Sequence, residues 1–205
     1  LSLGAYVALV FDKLLELMVP GLSQTIGGLS LTFSLILAIV ISMGVTGVSA
    51  IIIDWLVFRR LRDSAGPLSM VFASFGVALI VRNLISLVFG LKSKLYNEEI
   101  VFAVRVSTDP LLLIKLDQVF VLGMALVIML IFHFVLSRTT FGYALKAVSE
   151  NPTLAQVNGV RLAHMIRLIW LIGGGLAAVA GVFYGLNNQV SFLMGKDLVL
   201  SLFAA

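Results

Sequence analysis

Four long apolar runs limit what this chain can become more than anything else in it. They lie at about Leu31–Phe58, Leu68–Phe89, Val119–Leu136 and Leu168–Leu186. Each approaches or exceeds the ~20 residues a helix needs to cross ~30 Å of hydrocarbon. A shorter run, Leu1 to about Val10, is too short to cross alone, and a further apolar piece begins near Leu198. The sequence is 60% hydrophobic and 12% charged, about half the roughly 25% charge of an ordinary soluble domain. In 205 residues no water-soluble core could hide that much apolar surface, so the bilayer is the natural solvent. The runs lack the alternation of a transmembrane barrel. The expected fold class is therefore an all-α polytopic membrane protein, a bundle of transmembrane helices.

Several chemistries find no support. Cysteine is absent, which removes disulfides and thiol-ligated metals. The two histidines, His133 and His164, are far apart and suggest no metal cluster. The formal net charge of +4 comes from basic residues flanking apolar runs, where they act as orientation signals and not as a nucleic-acid surface. The sequence opens inside "LSLGAYVAL" and closes inside "LVLSLFAA", so both ends read as cuts. No positively charged segment precedes the first run, which argues against a cleavable signal peptide.

The loops sort into two classes. Arg59, Arg60 and Arg62 stand against Asp63 after the first long run. The region 138–167 carries Arg138, Lys146, Arg161 and Arg167 against Glu150. Alternating helices put these two loops on one side, and the positive-inside tendency makes that side cytoplasmic. The other side carries Asp12, Lys13 and Glu16, then Lys92, Lys94, Glu98, Glu99, Arg105, Asp109, Lys115 and Asp117, and later Lys196 and Asp197. Its longest loop, Leu91–Asp117, has the pattern of a small amphipathic or hairpin-like element.

Ionisable groups inside the spans are costly and invite a functional reading. Asp54, just before "FRRLR", is placed to pair with an interfacial arginine; a proton-relay role would need it deeper. Arg82 and Asn83 interrupt the second long run toward its outer end. There an arginine can line a pathway or snorkel to the headgroups, and in the latter case Asn83 turns toward the bundle. His133 is expected to hydrogen-bond a neighbouring helix. In "IGGGLAAVAGVFYG", Ala177, Gly181 and Gly185 recur every four residues and share one helix face. Such a face lets backbones approach closely, and Gly44, Gly47, Ser49 and Ala50 do something similar in the first long run.

The polar stretch "LKAVSENPTLAQVNGV", 145–160, separates the last two runs. Asn151 before Pro152 is a good N-cap followed by a good first helical residue. "PTLAQVN" then makes two turns, and Gly159 can end them in a left-handed conformation. Leu154, Ala155 and Val157 give this short helix an apolar side too small to bury much alone. It is either a docking element or a plain turn.

The stretch "GYALKAVSENPTLAQVNGVRLAHMIRLIWLIGGGLAAVAGVFYG" resembles the signature region of permease subunits of branched-chain amino acid ABC transporters. Lys146, Ala147, Asn151, Pro152, Ala155 and Gly159 match that family's cytoplasmic pattern, with lysine in place of the usual arginine. "LGAYVAL", "IDWLVFRRLR" and "FASFGVALIVRNLISLVFG" resemble its other conserved patches, with departures at Asp54, Trp55 and Arg60. The resemblance implies a single transmembrane permease domain over 1–205, truncated at both ends. It also implies a cytoplasmic loop over 138–167 holding the coupling helix, with Lys146, Ala147, Glu150, Asn151, Pro152, Ala155 and Gly159 in the contact to an ATPase.

The same resemblance implies an importer in a prokaryotic plasma membrane for branched-chain or related small amino acids. A second homologous permease subunit, two cytoplasmic ATPase subunits and an extracytoplasmic solute-binding protein would complete it. This chain has no GxxxxGK[ST] motif. It would bind no cofactor and do no enzymatic work, with ATP on the partner subunits. A zwitterion needs polar groups along its way, and the candidates are Asn83, Ser74 and Thr46, with Ser42 and with Asn187 near the outer end. Urea or short amides are alternative cargoes in the same family. An ion-coupled secondary transporter lacks the expected paired midplane acids, and a membrane scaffold would leave the "ENP" turn unexplained.

Overall fold

The computed structural model describes residues 1–18, 32–62, 66–96, 104–107, 112–114, 116–196 and 198. Asp63, Glu98, Glu99, Asp109, Lys115 and Asp197 lie outside the described residues, as do the first residue of the first long run, Leu31, and most of the apolar piece that starts near Leu198. The elements in order are α1 (Ser2–Met18), α2 (Phe33–Ile53), a π-helical turn (Asp54–Phe58) and α3 (Arg59–Arg62). They continue with α4 (Pro67–Phe89), β1 (Val104–Ser107), β2 (Leu112–Ile114), α5 (Leu116–Arg138), α6 (Thr140–Glu150), α7 (Pro152–Val157) and α8 (Leu162–Asn187). Among the described residues, four helices are long and apolar enough to cross a membrane: Phe33–Arg62, Leu68–Phe89, Asp117–Arg138 and Leu162–Asn187. They coincide with the four runs read from the sequence, and the chain is a polytopic helical membrane protein.

The loop between α4 and α5 carries the small hairpin-like element that its pattern suggested. β1 and β2 pair antiparallel, with Val104 opposite Ile114 and Arg105 opposite Leu113, and a bulge interrupts the register between Arg105 and Ser107.

Two compact units emerge. The first comprises Leu1–Phe102 and Trp170–Ala205, the second Ala103–Ile169. In the first, α1 and α2 pack antiparallel: Gly4 lies at Thr46 and Asp12 at Ser34. The N-terminal run therefore does not end near Val10. Its helix continues to Met18 and carries Asp12 inside, only 5% exposed, where the carboxylate accepts a hydrogen bond of 2.7 Å from Ser34 Oγ. The charges of Asp12 and Lys13 end the apolar run but not the helix, because the partner helix supplies a hydroxyl to Asp12.

α8 lies antiparallel to α2, with Gly47 against Leu171 and Gly175 against Met43, and α1 crosses it. The crossing uses absent side chains. A Cβ on Gly4 would collide with the Ala178 backbone, and one on Gly181 with the Leu1 carbonyl. In this unit Tyr6, Leu9, Ile85, Val190 and Met194 form an apolar core, with the Tyr6 ring stacked on Phe89 at 4.7 Å. There the backbones of Lys94 and Val190 join in an antiparallel bridge of two 2.9 Å hydrogen bonds. Tyr96 donates its hydroxyl to the Ala5 carbonyl at 2.7 Å. Burial, and behind it the nearby Asp12 charge, pushes the Tyr96 phenol up, so it stays protonated and keeps donating.

Asp54 pairs with an arginine, as its position suggested, and the partner is Arg62. The guanidinium donates to Oδ1 at 2.6 Å across eight residues. In an unbroken α-helix, residues eight apart stand two turns from each other. The helix here widens to a π-turn over Asp54–Phe58, and the Phe58 ring stacks on Trp170 at 5.2 Å. Widened turns of this kind are rare and are commonly found at functional sites.

Candidate functional site

The second unit builds the polar stretch into a defined shape. α5 ends at Arg138, and α6 begins at Thr140 after a single residue. Thr139 caps α6 by accepting from the Gly142 backbone N–H at 3.3 Å. Gly142 is buried so close to the Leu136 carbonyl that no side chain fits there. Lys146, Ala147 and Glu150 follow on α6 with exposed side chains, and the Ala147 carbonyl accepts from Asn151 N at 3.1 Å.

Asn151 then does what its place before a proline suggests. Its backbone is extended, at φ −150° and ψ 100°, and its side-chain oxygen accepts from both Thr153 N and Leu154 N at 3.1 Å. Two of the four N–H groups left orphaned at a helix start are thereby satisfied, and Pro152 in the first turn has no N–H to satisfy. The far end closes equally well. Gly159 has φ +87°, its N–H reaches the Gln156 carbonyl at 2.9 Å, and Val160 N reaches the Ala155 carbonyl at 3.0 Å. This pair of bonds around a left-handed glycine is the Schellman arrangement. A six-residue helix is too short to be stable alone in water; here both of its ends are chemically closed.

The apolar side of α7 is split. Ala155 is 3% exposed and packs inward, while Leu154 is 59% and Val157 81% exposed. Tyr143 on α6 is likewise exposed. The result is a rigid polar turn presenting Lys146, Glu150, Leu154 and Val157 outward.

The candidates for the solute path do not converge. Thr46 is buried in the first unit beside Gly4, and its Oγ1 has no hydrogen-bond partner among the described residues. Ser74 is exposed on α4, and its hydroxyl is bonded back to the Val71 carbonyl at 2.7 Å. Asn83 is exposed as well, and its neighbour Arg82 is the partly buried one, with Nε lacking a partner among the described residues. Adjacent helical residues point about 100° apart, and of the two Arg82 is the more buried, an arrangement unlike the alternative in which Arg82 snorkels and Asn83 faces the bundle. His133 is exposed on α5, and among the described residues its side chain has no hydrogen bond to a neighbouring helix.

Two of the three small residues on the expected α8 face lie close to neighbouring atoms. Gly181 meets α1, and a Cβ on Gly185 would lie 2.7 Å from Val190 Cγ2 and 2.8 Å from the Tyr96 ring. Ala177 is half-buried, and the close approach in that turn belongs to Ala178 against Gly4. Sequence reasoning also passed over Gly4 and Gly142. Only Gly142 had a local signal, a Thr three residues ahead of it in "TTFG" at a helix start. Among the described residues no three His, Asp or Glu side chains come together as a metal site would need.

Comparison with known proteins adds to this geometry. The sequence profile of the family described as branched-chain amino acid transport system / permease component matches residues 1–205. The chain is 25% identical over 208 aligned residues to a high-affinity branched-chain amino acid transport system permease protein of Pseudomonas aeruginosa, covering 94% of this chain and 62% of the relative. It is 36% identical over 73 residues to a "probable branched-chain amino acid transport permease protein" of Methanocaldococcus jannaschii, covering 36% of this chain and 23% of that one. A nucleoside ABC transporter permease protein of Lactococcus lactis is 29% identical over 69 residues, 34% of this chain and 19% of the relative. In each case the aligned part is less than two thirds of the relative's own length. No solved structure matches the chain.

Proposed function

Because the chain belongs to the branched-chain amino acid transport permease family, we propose that it is the transmembrane subunit of an ATP-driven importer for branched-chain or related small amino acids. In this reading it acts beside a second homologous permease in a prokaryotic plasma membrane. An extracytoplasmic binding protein delivers the solute, and two cytoplasmic ATPase subunits hold and hydrolyse the ATP.

One observation carries the reading: the doubly capped α7 with Leu154 and Val157 turned outward. A short helix whose ends are locked but whose apolar side chains are left exposed is suited to press into a groove on another protein. It transmits motion because it cannot fray. The basic loops Arg59–Arg62 and Arg138–Arg167 support a cytoplasmic location for this turn. The substrate class rests on the relatives whose names carry branched-chain amino acid transport.

The test uses the full-length protein with its ATPase partners. Glu150→Lys reverses the charge beside the turn, and Gly159→Val places a β-branched residue at positive φ. Both variants should still insert and assemble with the second permease, but substrate-stimulated ATP hydrolysis should fall at least tenfold. Wild-type stimulation in both would remove the coupling role. Cysteines placed at Ser149 and Ser93 report the orientation: Ser149→Cys should resist an impermeant thiol reagent in intact cells, and Ser93→Cys should react.

A further inference from the structure

Where α4 and α8 end, the first unit holds an open cleft of about 460 Å³, within the ~300–1,000 Å³ range of small-molecule sites. Its lining is unusual for a chain this apolar. Asn187, Asn188, Gln189, Ser93, Ser191 and Tyr184, all bearing amide or hydroxyl groups, line it. Leu95 is the aliphatic residue of the lining. Among the described residues no charged side chain lines it. Lys94 sits between two lining residues, but its ammonium lies over the Phe89 ring, 5.3 Å from the centroid. Lys94 and Val190, each flanked by lining residues, are joined by a backbone bridge, and a side chain at Gly185 would strike Val190 and Tyr96. At its edge the Asn187 side-chain oxygen is buried with no hydrogen-bond partner among the described residues. Buried unpaired acceptors are costly, and natural chains keep few of them.

We propose that this cleft is a receiving site for the net-neutral, zwitterionic solute on the extracytoplasmic face. The inference rests on the importer reading and adds the place where the solute first meets the permease. Carboxamides and hydroxyls both donate and accept. They can therefore face a carboxylate and an ammonium at once, while Leu95 and the Tyr184 ring take a short aliphatic side chain. A fixed charge would grip one end of a zwitterion and repel the other. Dipoles alone hold it weakly, which suits a site that must pass its solute on. The same lining disfavours solutes carrying a net charge, because none of its described side chains offsets one.

The experiment uses the assembled full-length complex in nanodiscs, without its binding protein and without nucleotide, with leucine as the probe. Saturation-transfer NMR should show leucine contacting the complex. Asn188→Leu and Gln189→Leu change exposed side chains, so assembly and basal ATP hydrolysis should be unaltered. Each should weaken leucine binding roughly fivefold, the loss of one ordinary hydrogen bond, and lower leucine imported per ATP in proteoliposomes. Gln189→Glu, nearly the same size, should weaken leucine comparably and so separates charge from shape. Unchanged leucine binding in all three variants of a leucine-transporting complex overturns this inference alone. Binding of acetamide without leucine overturns the zwitterion assignment. An assembled, ATP-hydrolysing wild type that imports no amino acid overturns the importer reading and this inference with it.

Discussion

The crossing of α1, α2 and α8 and the α6–α7 turn are both tight, by opposite means. The crossing is held by what is missing: Gly4, Gly47, Gly174 and Gly181 leave room for a neighbouring backbone, and few side-chain hydrogen bonds join the described parts of these helices. In lipid, where apolar burial between helices gains little, such close packing is a main source of cohesion. The turn is held by what is present, namely the Asn151 oxygen, the Gly159 bonds and the Thr139 cap, while its large apolar side chains stay outside. One region is fixed by distant partners and the other by neighbours in sequence. Substitutions in the two should therefore fail differently.

The largest effect is expected at Gly4. Gly4→Ala puts a Cβ into the Ala178 backbone, which side-chain repacking cannot relieve. The cost should reach or exceed the ~3 kcal/mol upper end of ordinary overpacking. Gly76→Ala on α4 is the control, since nothing lies within 4 Å of its Cβ position, and there the better helix former should be neutral or stabilising by about 0.5–1 kcal/mol. Thermal unfolding in detergent, followed by size-exclusion fluorescence, compares the two. Equal melting of both variants would break the picture of a backbone-to-backbone crossing.

Next comes Arg62→Gln, which strips the buried Asp54 carboxylate of its partner at 2.6 Å. Arg62 is itself 36% exposed, so solvent recovers part of the loss, and about 1–3 kcal/mol is expected. Adding Asp54→Asn should restore most of it, as a double-mutant cycle would show.

Asn151→Ala should cost about 1 kcal/mol, the usual worth of an N-cap, and only locally. Hydrogen exchange should speed up at Thr153 and Leu154, whose amides lose their acceptor, and leave the α8 amides unchanged. Faster exchange throughout α8 would mean that the turn is not an independently closed unit.

The smallest effect on stability belongs to Leu154→Ala with Val157→Ala. Both side chains are exposed, so melting should move by less than ~0.5 kcal/mol, while co-purification of the ATPase subunits should fall several-fold. Retained co-purification would separate the shape of the turn from its proposed docking role.

Much of this architecture is legible in the residues alone. The four spans are visible because a helix crossing lipid must satisfy its own backbone and clothe itself in apolar residues over a fixed length. The turn is visible because Asn-Pro and a following Gly act within a few residues of themselves. Asp54's need for an arginine can be read too, but not the choice of Arg62 over Arg59, since the π-turn that aligns them has no sequence signature here.

The sequence by itself therefore determined the spans, the gathering of basic residues into two loops and the closed ends of α7, all features in which cause and effect lie within one turn or one span. Only the tertiary structure decided that α1 runs on to Met18 with Asp12 inside, that Ala178 and not Ala177 meets Gly4, that Arg82 is more buried than Asn83, and that Ser93 and Leu95 join Asn187, Asn188 and Gln189 at one cleft. Each of those depends on which helix face meets a neighbour. In membrane helices that are apolar all round, composition barely distinguishes one face from another, and the choice falls to the fit of backbones across residues far apart in the chain.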